Sequence, residues 1–283
     1  MAVSVLVPSS LTRESRDKRE ATRKLGYVAR AATIFRVDRL VIYPDNAGEH
    51  GATLGGGFVE TVLRYAATPP FLRKEEWSSR DELEYAGVLP PLCIRPRTGS
   101  GSDDSGSLRQ GIVTEVGSDD RVRVNCGLQH PISLHVPADR RVTEGERVAV
   151  RILSRRPVRA QLADVPFIGP SVVRMDLLEA LDRGDAGHRI AASRHGEELT
   201  IGRLSELITQ IETAGLTVAL GAPQRGLVDI LSDHPGTDAP IKVDTSPDTR
   251  FDHWLNTIPR QGSDVVRTEE AMFATLACLT LTE

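Results

Sequence analysis

The stretch best equipped for chemistry runs over residues 256–271, NTIPRQGSDVVRTEEA. It sets one cation, Arg267, beside two carboxylates, Glu269 and Glu270, behind a loop carrying Pro259, Gln261 and Gly262. That loop follows an apolar run and predicts the turn that ends a strand. Gly262 allows positive φ and lets a ligand approach the backbone closely. Thr268 reads as the N-cap of a following helix, with Glu269 and Glu270 in its first turn, where the dipole favours carboxylates. Met272, Leu276 and Leu279 recur at helical spacing and predict burial against a sheet. A strand end, a glycine-bearing loop and a helix N-terminus make the usual ligand position of an open α/β sheet. The same pattern also describes a plain strand–loop–helix connection, with both glutamates held only by the dipole.

Phosphate recognition is a second possible chemistry. The net charge is −4, yet residues 109–159 hold ten arginines, no lysine and six acids, so they carry +4 and the rest −8. Arg121, Arg123, Arg155 and Arg156 are the candidate phosphate contacts, because the planar guanidinium matches a phosphate. Only Lys18, Lys24, Lys74 and Lys242 are lysine in the whole chain. That preference for arginine also follows from a GC-rich genome or a high-salt host. Residues 109–159 contain no Phe, Tyr or Trp on which bases could stack. Such a segment would position a nucleic acid by its phosphates without reading its sequence, or would be purely structural.

These groups need elements to hold them. Residues 2–7, apolar and ending at Pro8, predict a first strand. Residues 13–24 are dense in charge, and Leu25, Val28, Ala29 and Ala32 then mark one helix face. Residues 37–43 contain Leu40-Val41-Ile42, a continuous apolar strand of the parallel-sheet kind, which completes a βαβ unit. Residues 48–57 are glycine-rich and read as mobile, but no G-K-[ST] follows Gly55-Gly56-Gly57, so they are no phosphate loop. Phe58, Val62 and Tyr65 predict a short helix ended by Pro69-Pro70. Residues 98–107, TGSGSDDSGS, read as a flexible linker. Beyond them the period becomes two: Val122 and Val124; Ile132, Leu134 and Val136; Val148, Val150 and Ile152. Short alternating strands predict a small antiparallel barrel. From Pro166 the α/β pattern resumes, with a weak strand over 188–193, a helix over 204–211 and a strand over 216–220. A loop over 222–226, a helix start over 227–231 and a last strand over 251–258 follow. The barrel, residues 91–162, is therefore expected as an insertion in one α/β domain made of 1–90 and 163–283.

Composition bounds the class. A hydrophobic content of 40% over 283 residues suits a globular core. No apolar run approaches the roughly 20 residues that span a bilayer, and residues 3–7 are too short and poorly flanked for a signal peptide. A cytoplasmic protein is expected. Cys93, Cys126 and Cys278 stand apart without a C-x-x-C pair, so neither a disulfide framework nor a metal site is expected. No G-x-G-x-x-G follows the first strand, which argues against a plain nucleotide-binding Rossmann protein.

The motifs carry a resemblance. IPRQG followed by VVRTEEA resembles the last motif of the SPOUT superfamily, AdoMet-dependent RNA methyltransferases whose C-terminal segment threads a trefoil knot. LGAPQRGL, residues 220–227, is similar to the superfamily's glycine-bearing middle loop, and Ser193-Arg194-His195-Gly196 to its S-x-R-G-like segment. Phe71-Leu72-Arg73-Lys74 and Tyr85-Ala86-Gly87 are similar to the archaeal and eukaryotic branch with an inserted OB-like domain. The resemblance covers nearly the whole chain. It implies an α/β SPOUT fold with a C-terminal trefoil knot, interrupted by a small antiparallel OB-like β-barrel. It further implies S-adenosyl-L-methionine as cofactor, RNA (ribosomal RNA first) as partner, and a homodimer, because SPOUT sites are built at a subunit interface. The cofactor residues it implies are Ser193, Gly196, Gly221, Ala222, Arg225, Gly226, Thr257, Ile258, Gln261, Gly262 and Thr268.

The resemblance leaves the reaction open. VVRTEEA is similar to the closing motif of bacterial enzymes that methylate N3 of a uridine in ribosomal RNA. On that comparison Arg267 would lie beside the methyl-transfer site, and Glu269 and Glu270 would orient the acceptor or balance the sulfonium. Gly26-Tyr27-Val28-Ala29-Arg30 with Phe35-Arg36-Val37 instead resembles the first motif of the ribose 2′-O branch, whose arginine sits at the catalytic centre. Leu25 and Arg36 depart from that branch's asparagine and glycine. Arg30 is thus either catalytic or a phosphate contact. A non-catalytic RNA-binding ribosome-assembly factor on the same scaffold is the third reading, against which the retained glycines count.

Overall fold

The computed structural model describes residues 1–46, 54–90, 107–117, 119–138, 140–165, 169–233 and 250–281. Residues 48–53 of the glycine-rich stretch, most of the linker, Cys93 and Pro166 lie outside them. In chain order, β1 (Val3–Pro8) leads to α1 (Lys18–Ile34), β2 (Arg39–Tyr43) and α2 (Gly56–Ala67). Next come five strands: β3 (Ser107–Val116), β4 (Arg121–Asn125), β5 (Ile132–His135), β6 (Arg147–Arg155) and β7 (Val158–Ala163). The chain continues through β8 (Ser171–Arg174), α3 (Leu177–Leu181), β9 (His188–Glu198), α4 (Ile201–Ala214) and β10 (Leu216–Leu220). It closes with α5 (Leu227–Ser232), β11 (His253–Asn256) and α6 (Thr268–Leu279).

Two compact units result. One comprises Met1–Ala67, Asp81–Pro90 and Pro170–Glu283; the other comprises Thr68–Arg80 and Pro91–Gly169. The first is built on a six-stranded sheet of order β11-β9-β10-β1-β2-β8, parallel throughout. Every residue of β1 and β10 is buried. Central parallel strands covered on both faces must be continuously apolar, and VSVLVP and LTVAL are nearly so. α1 begins where Asp17 accepts from the Glu20 amide, and it buries Ala21, Leu25, Val28, Ala29 and Ala32.

The second unit is a five-stranded antiparallel sheet of order β5-β4-β3-β6-β7 whose end strands approach each other, a nearly closed barrel. Val122, Val124, Ile132, Leu134, Val148, Val150 and Ile152 fill its interior, as the two-residue period predicts. Aromatic groups reach this unit from residues 68–80. The Phe71 ring packs on Gly127, where a Cβ would stand 2.9 Å away and φ is +71°. Arg80 lies over the Trp77 ring.

Several expectations are corrected. The strand expected over 188–193 does not stop there: β9 runs eleven residues, through Gly196 to Glu198. β11 pairs along that extension across a register shift between Trp254 and Leu255. β8 carries no clear period, yet it pairs with β2 at the sheet edge. Thr268 is the first helical residue of α6, and Arg267 is the N-cap.

Candidate active site

β11, β9 and β10 are neighbours and parallel, so their carboxyl ends open together, and a cavity of about 650 Å³ lies against them. Its first wall is the loop after β10. A Cβ on Gly221 would meet the Arg225 carbonyl, Gly226 Cα and Leu227 N at 3.1 Å each, so a side chain there would push the loop off the helix start. Residues 222–225 close a tight turn: the Ala222 amide donates to the Arg225 carbonyl (2.9 Å), and the Arg225 amide donates back (3.1 Å). Pro223 followed by Gln224 at φ +58° has the pattern of a type II turn, in which the third residue must be left-handed.

Arg225 fastens this turn. Its Nε donates to Asp45 Oδ1 (2.9 Å) and its Nη2 to Asp233 Oδ2 (2.6 Å). Asp45 is buried, accepts also from Ser10 Oγ (2.5 Å), and donates its own amide to Ser9 Oγ (2.9 Å). The guanidinium thus ties the loop after β10 to the ends of β1 and β2.

The second wall, residues 256–268, is stapled by its own side chains. Asn256 Oδ1 accepts from the Ile258 amide (3.0 Å), while its Nδ2 donates to the Arg194 carbonyl (3.2 Å). Gln261 Nε2 donates to the Ser263 carbonyl (2.6 Å). Thr257 and Thr275 hydroxyls meet at 2.9 Å, and Thr268 Oγ1 donates to the Gly221 carbonyl (2.9 Å), which joins the two walls. A rigid rim of turn peptides therefore encloses the side chains of Leu220, Val228, Ile258 and Val266.

Residues 2–279 match the family described as "Putative RNA methyltransferase". The chain belongs to this RNA methyltransferase family. An "uncharacterized protein" of Haloarcula marismortui is 64% identical over the whole of both chains, and one of Halobacterium salinarum likewise. A human "28S rRNA (uridine-N(3))-methyltransferase" is 28% identical over 98% of this chain and 77% of its own.

An RNA methyltransferase needs a methyl donor such as S-adenosylmethionine, and the cavity suits one. About 650 Å³ falls within the range of small-molecule sites, and its rim offers turn peptides while its walls offer aliphatic surface. Ser193, Gly221, Ala222, Arg225, Gly226, Thr257, Ile258, Gln261 and Thr268 line it, whereas Gly196 and Gly262 are not among the lining residues. Gly196 answers to the sheet: a Cβ there would lie 2.6 Å from the Trp254 carbonyl carbon. Gly262 faces open space. Asn256, Asp229 and Asp264, not singled out from the sequence, also line the cavity. Asn256 was legible only as an Asx residue two before an amide at a strand end.

The residues expected near the acceptor separate. Val265, Val266, Thr268 and Ala271 line this cavity, while Arg267 and Glu269 line a second one of about 450 Å³, with Glu14 and Lys24. Lys24 Nζ is bonded to Glu14 Oε1 (2.5 Å) and stands 3.6 Å from Glu269 Oε2. Burial pushes the Glu269 carboxyl above its ordinary range, with the Lys24 charge opposing. Glu270 lines neither cavity; its Oε2 accepts from the Arg267 amide (2.8 Å) and caps α6. Arg30, half-buried on α1, lines neither.

In the barrel unit Arg121 and Arg123 project outward, alternating with buried Val122 and Val124. Arg121 donates to Ser133 Oγ (3.0 Å), and Arg123 faces Glu115 (3.3 Å). Arg155 closes β6, and Arg156, exposed, follows it. Among the described residues no cluster of three His, Cys, Asp or Glu could hold a metal ion, and no helix is long and apolar enough to cross a membrane.

Proposed function

We propose that this enzyme methylates ribosomal RNA at N3 of a uridine, with S-adenosylmethionine bound against the carboxyl ends of β9, β10 and β11. The observation that carries the reading is the alignment of 98% of the chain with a relative named for uridine-N3 methylation of 28S rRNA. The cavity rimmed by Gly221–Gly226 peptides supports it on the cofactor side. The reading includes a SPOUT fold whose C-terminal segment is knotted, an OB-like domain inserted at 91–162, a homodimer and a cytoplasmic location beside ribosomes.

The cofactor supplies an electrophilic methyl group. The chain's part is to hold it by the turn peptides at 221–226 and 257–261 and to bring the acceptor into line. Orientation alone can be worth effective molarities of about 10⁵ M or more. Arg267, half-exposed on the wall between the two cavities, is the proposed acceptor-side cation. A nearby positive charge lowers the pKa of the uracil N3–H and so favours the nucleophilic anion. Glu270 keeps that arginine at the helix start, and Arg30 and Glu269 act on the RNA side. Arg225 serves by holding the turn, since its donors are already engaged by Asp45 and Asp233.

Nucleoside mass spectrometry of ribosomal RNA from a deletion strain, and of RNA methylated in vitro, tests the reading. Loss of 3-methyluridine at one position is expected. A methyl on ribose, or no change in any nucleoside, would overturn it.

A further inference from the structure

The second cavity is a built site that the methyl-donor site does not use. Its floor is polar and cut off from water: the Lys24 side chain is 4% exposed and that of Glu269 9%. Glu269 Oε2 and Ser15 Oγ are buried and have no hydrogen-bond partner. A buried acceptor without a donor is costly, and a ligand that brings one recovers the loss. The rim has the opposite character. Arg16, Arg19, Arg23 and Tyr27 are exposed, and the last three recur every four residues along one face of α1. None of these three arginine side chains makes an ion pair among the described residues. Unpaired guanidinium groups over a polar floor suit a phosphate joined to a group with N–H or O–H donors.

Two further observations name the ligand. The volume, about 450 Å³, suits a unit of small-ligand size. The chain alternates at 266–269, so Val266 and Thr268 face the methyl-donor cavity while Arg267 and Glu269 face this one. Backbone therefore stands between the two floors, and the methyl group cannot be delivered through it. A single RNA strand that crosses the wall at Arg267 would visit both cavities with successive nucleotides.

We propose that the second cavity binds a nucleotide flanking the acceptor, with its phosphate on Arg16, Arg19 and Arg23, its base against Tyr27, and a donor edge on Glu269 and Ser15. This rests on the methyltransferase reading for the direction of the strand, but the binding itself can be measured without turnover. Lys24 and Glu14 are positioning residues: they hold the Glu269 carboxylate and tie the Arg267 side chain to the floor, Arg267 Nε standing 3.9 Å from Glu14 Oε1.

The test uses the full chain and a fluorescein-labelled ten-nucleotide oligouridylate, followed by anisotropy across a salt series. Arg19→Ala with Arg23→Ala should weaken binding about tenfold or more. It should also reduce the slope of log K against log salt by roughly 0.7 for each phosphate no longer neutralised. AdoMet affinity by calorimetry should stay within twofold of wild type. Glu269→Gln should weaken binding several-fold without changing the salt slope, because it leaves every phosphate-binding arginine in place. Unchanged affinity and slope in the arginine pair would overturn the proposal, and so would tighter oligonucleotide binding by Glu269→Gln, the mark of mere charge repulsion. Inorganic phosphate, matched for ionic strength, should displace the RNA no better than chloride. Specific displacement by phosphate, together with undiminished RNA binding in the arginine pair, would make this a free-anion site instead. A wild type that binds the oligonucleotide in this way but transfers no methyl group would refute the enzymatic reading and leave the cavity assignment standing.

Discussion

Glu269 sets a proposed function against stability. Burial raises its pKa, so folding is less favourable with the carboxyl ionised than with it protonated. The associated stability is complete below the ordinary value of about 4.3 and is lost as pH rises through the higher folded value. Glu269→Gln removes that loss, and its Tm should exceed wild type at pH 8 and match it near pH 4. A Tm difference independent of pH would refute the assignment. Gln224 illustrates backbone strain instead. At φ +58° a side chain pays where glycine does not. Gln224→Gly should leave stability level or slightly higher in urea unfolding. Gln224→Val should lower it by about 1–2 kcal/mol, since a β-branched residue is worse there.

At the scale of elements, the clamp around Arg225 holds the loop at 221–226 to the sheet. Asp45 is the hub, taking Ser10 and Arg225 together in a buried setting. Asp45→Ala leaves a mostly buried guanidinium with Asp233 alone and should cost on the order of 3 kcal/mol. AdoMet affinity should fall with it, measured by calorimetry on protein shown to be folded by circular dichroism. Unchanged affinity would mean that the loop holds its shape without the clamp. The β9–β11 pairing makes the companion case. Gly196→Ala would force the strands apart at Trp254 and cost about 1–3 kcal/mol, while Gly262→Ala, in open space, should cost little. Equal effects of the two substitutions in thermal unfolding would contradict this division.

For the molecule as a whole, the proposed reading has the barrel unit's arginines holding RNA beyond the active site. Arg121→Ala with Arg123→Ala removes two outward charges from β4. Affinity for all RNAs should fall alike, and the salt slope should flatten by about 0.7 for each single-strand phosphate no longer neutralised. AdoMet binding should not move. A selective loss for one RNA sequence would instead point to base readout. The proposed homodimer is checked by light scattering at micromolar concentration, where a fully active monomer would refute it.

The sequence alone determined what depends on neighbours along the chain. Continuous apolar runs gave β1, β2 and β10, two-residue alternation gave β4, β5 and β6, and helical spacing gave α4 and α6. The glycine-bearing motifs marked the loops at 220–227 and 256–268, where the larger cavity lies. Tertiary structure decided the rest, because pairing and burial come from distant parts of the chain. β8 exists because β2 offers it a partner edge, and β9 runs through Gly196 because β11 accepts the extra length. Nothing local told Gly196, which the sheet requires, from Gly221, which the turn at 221–226 requires. Nor could local pattern foresee Arg225 reaching back to Asp45. The turn of α6 sends Thr268 to one cavity and Glu269 to the other, and the second becomes a site only because Lys24 and Glu14 arrive there from α1 and the loop before it.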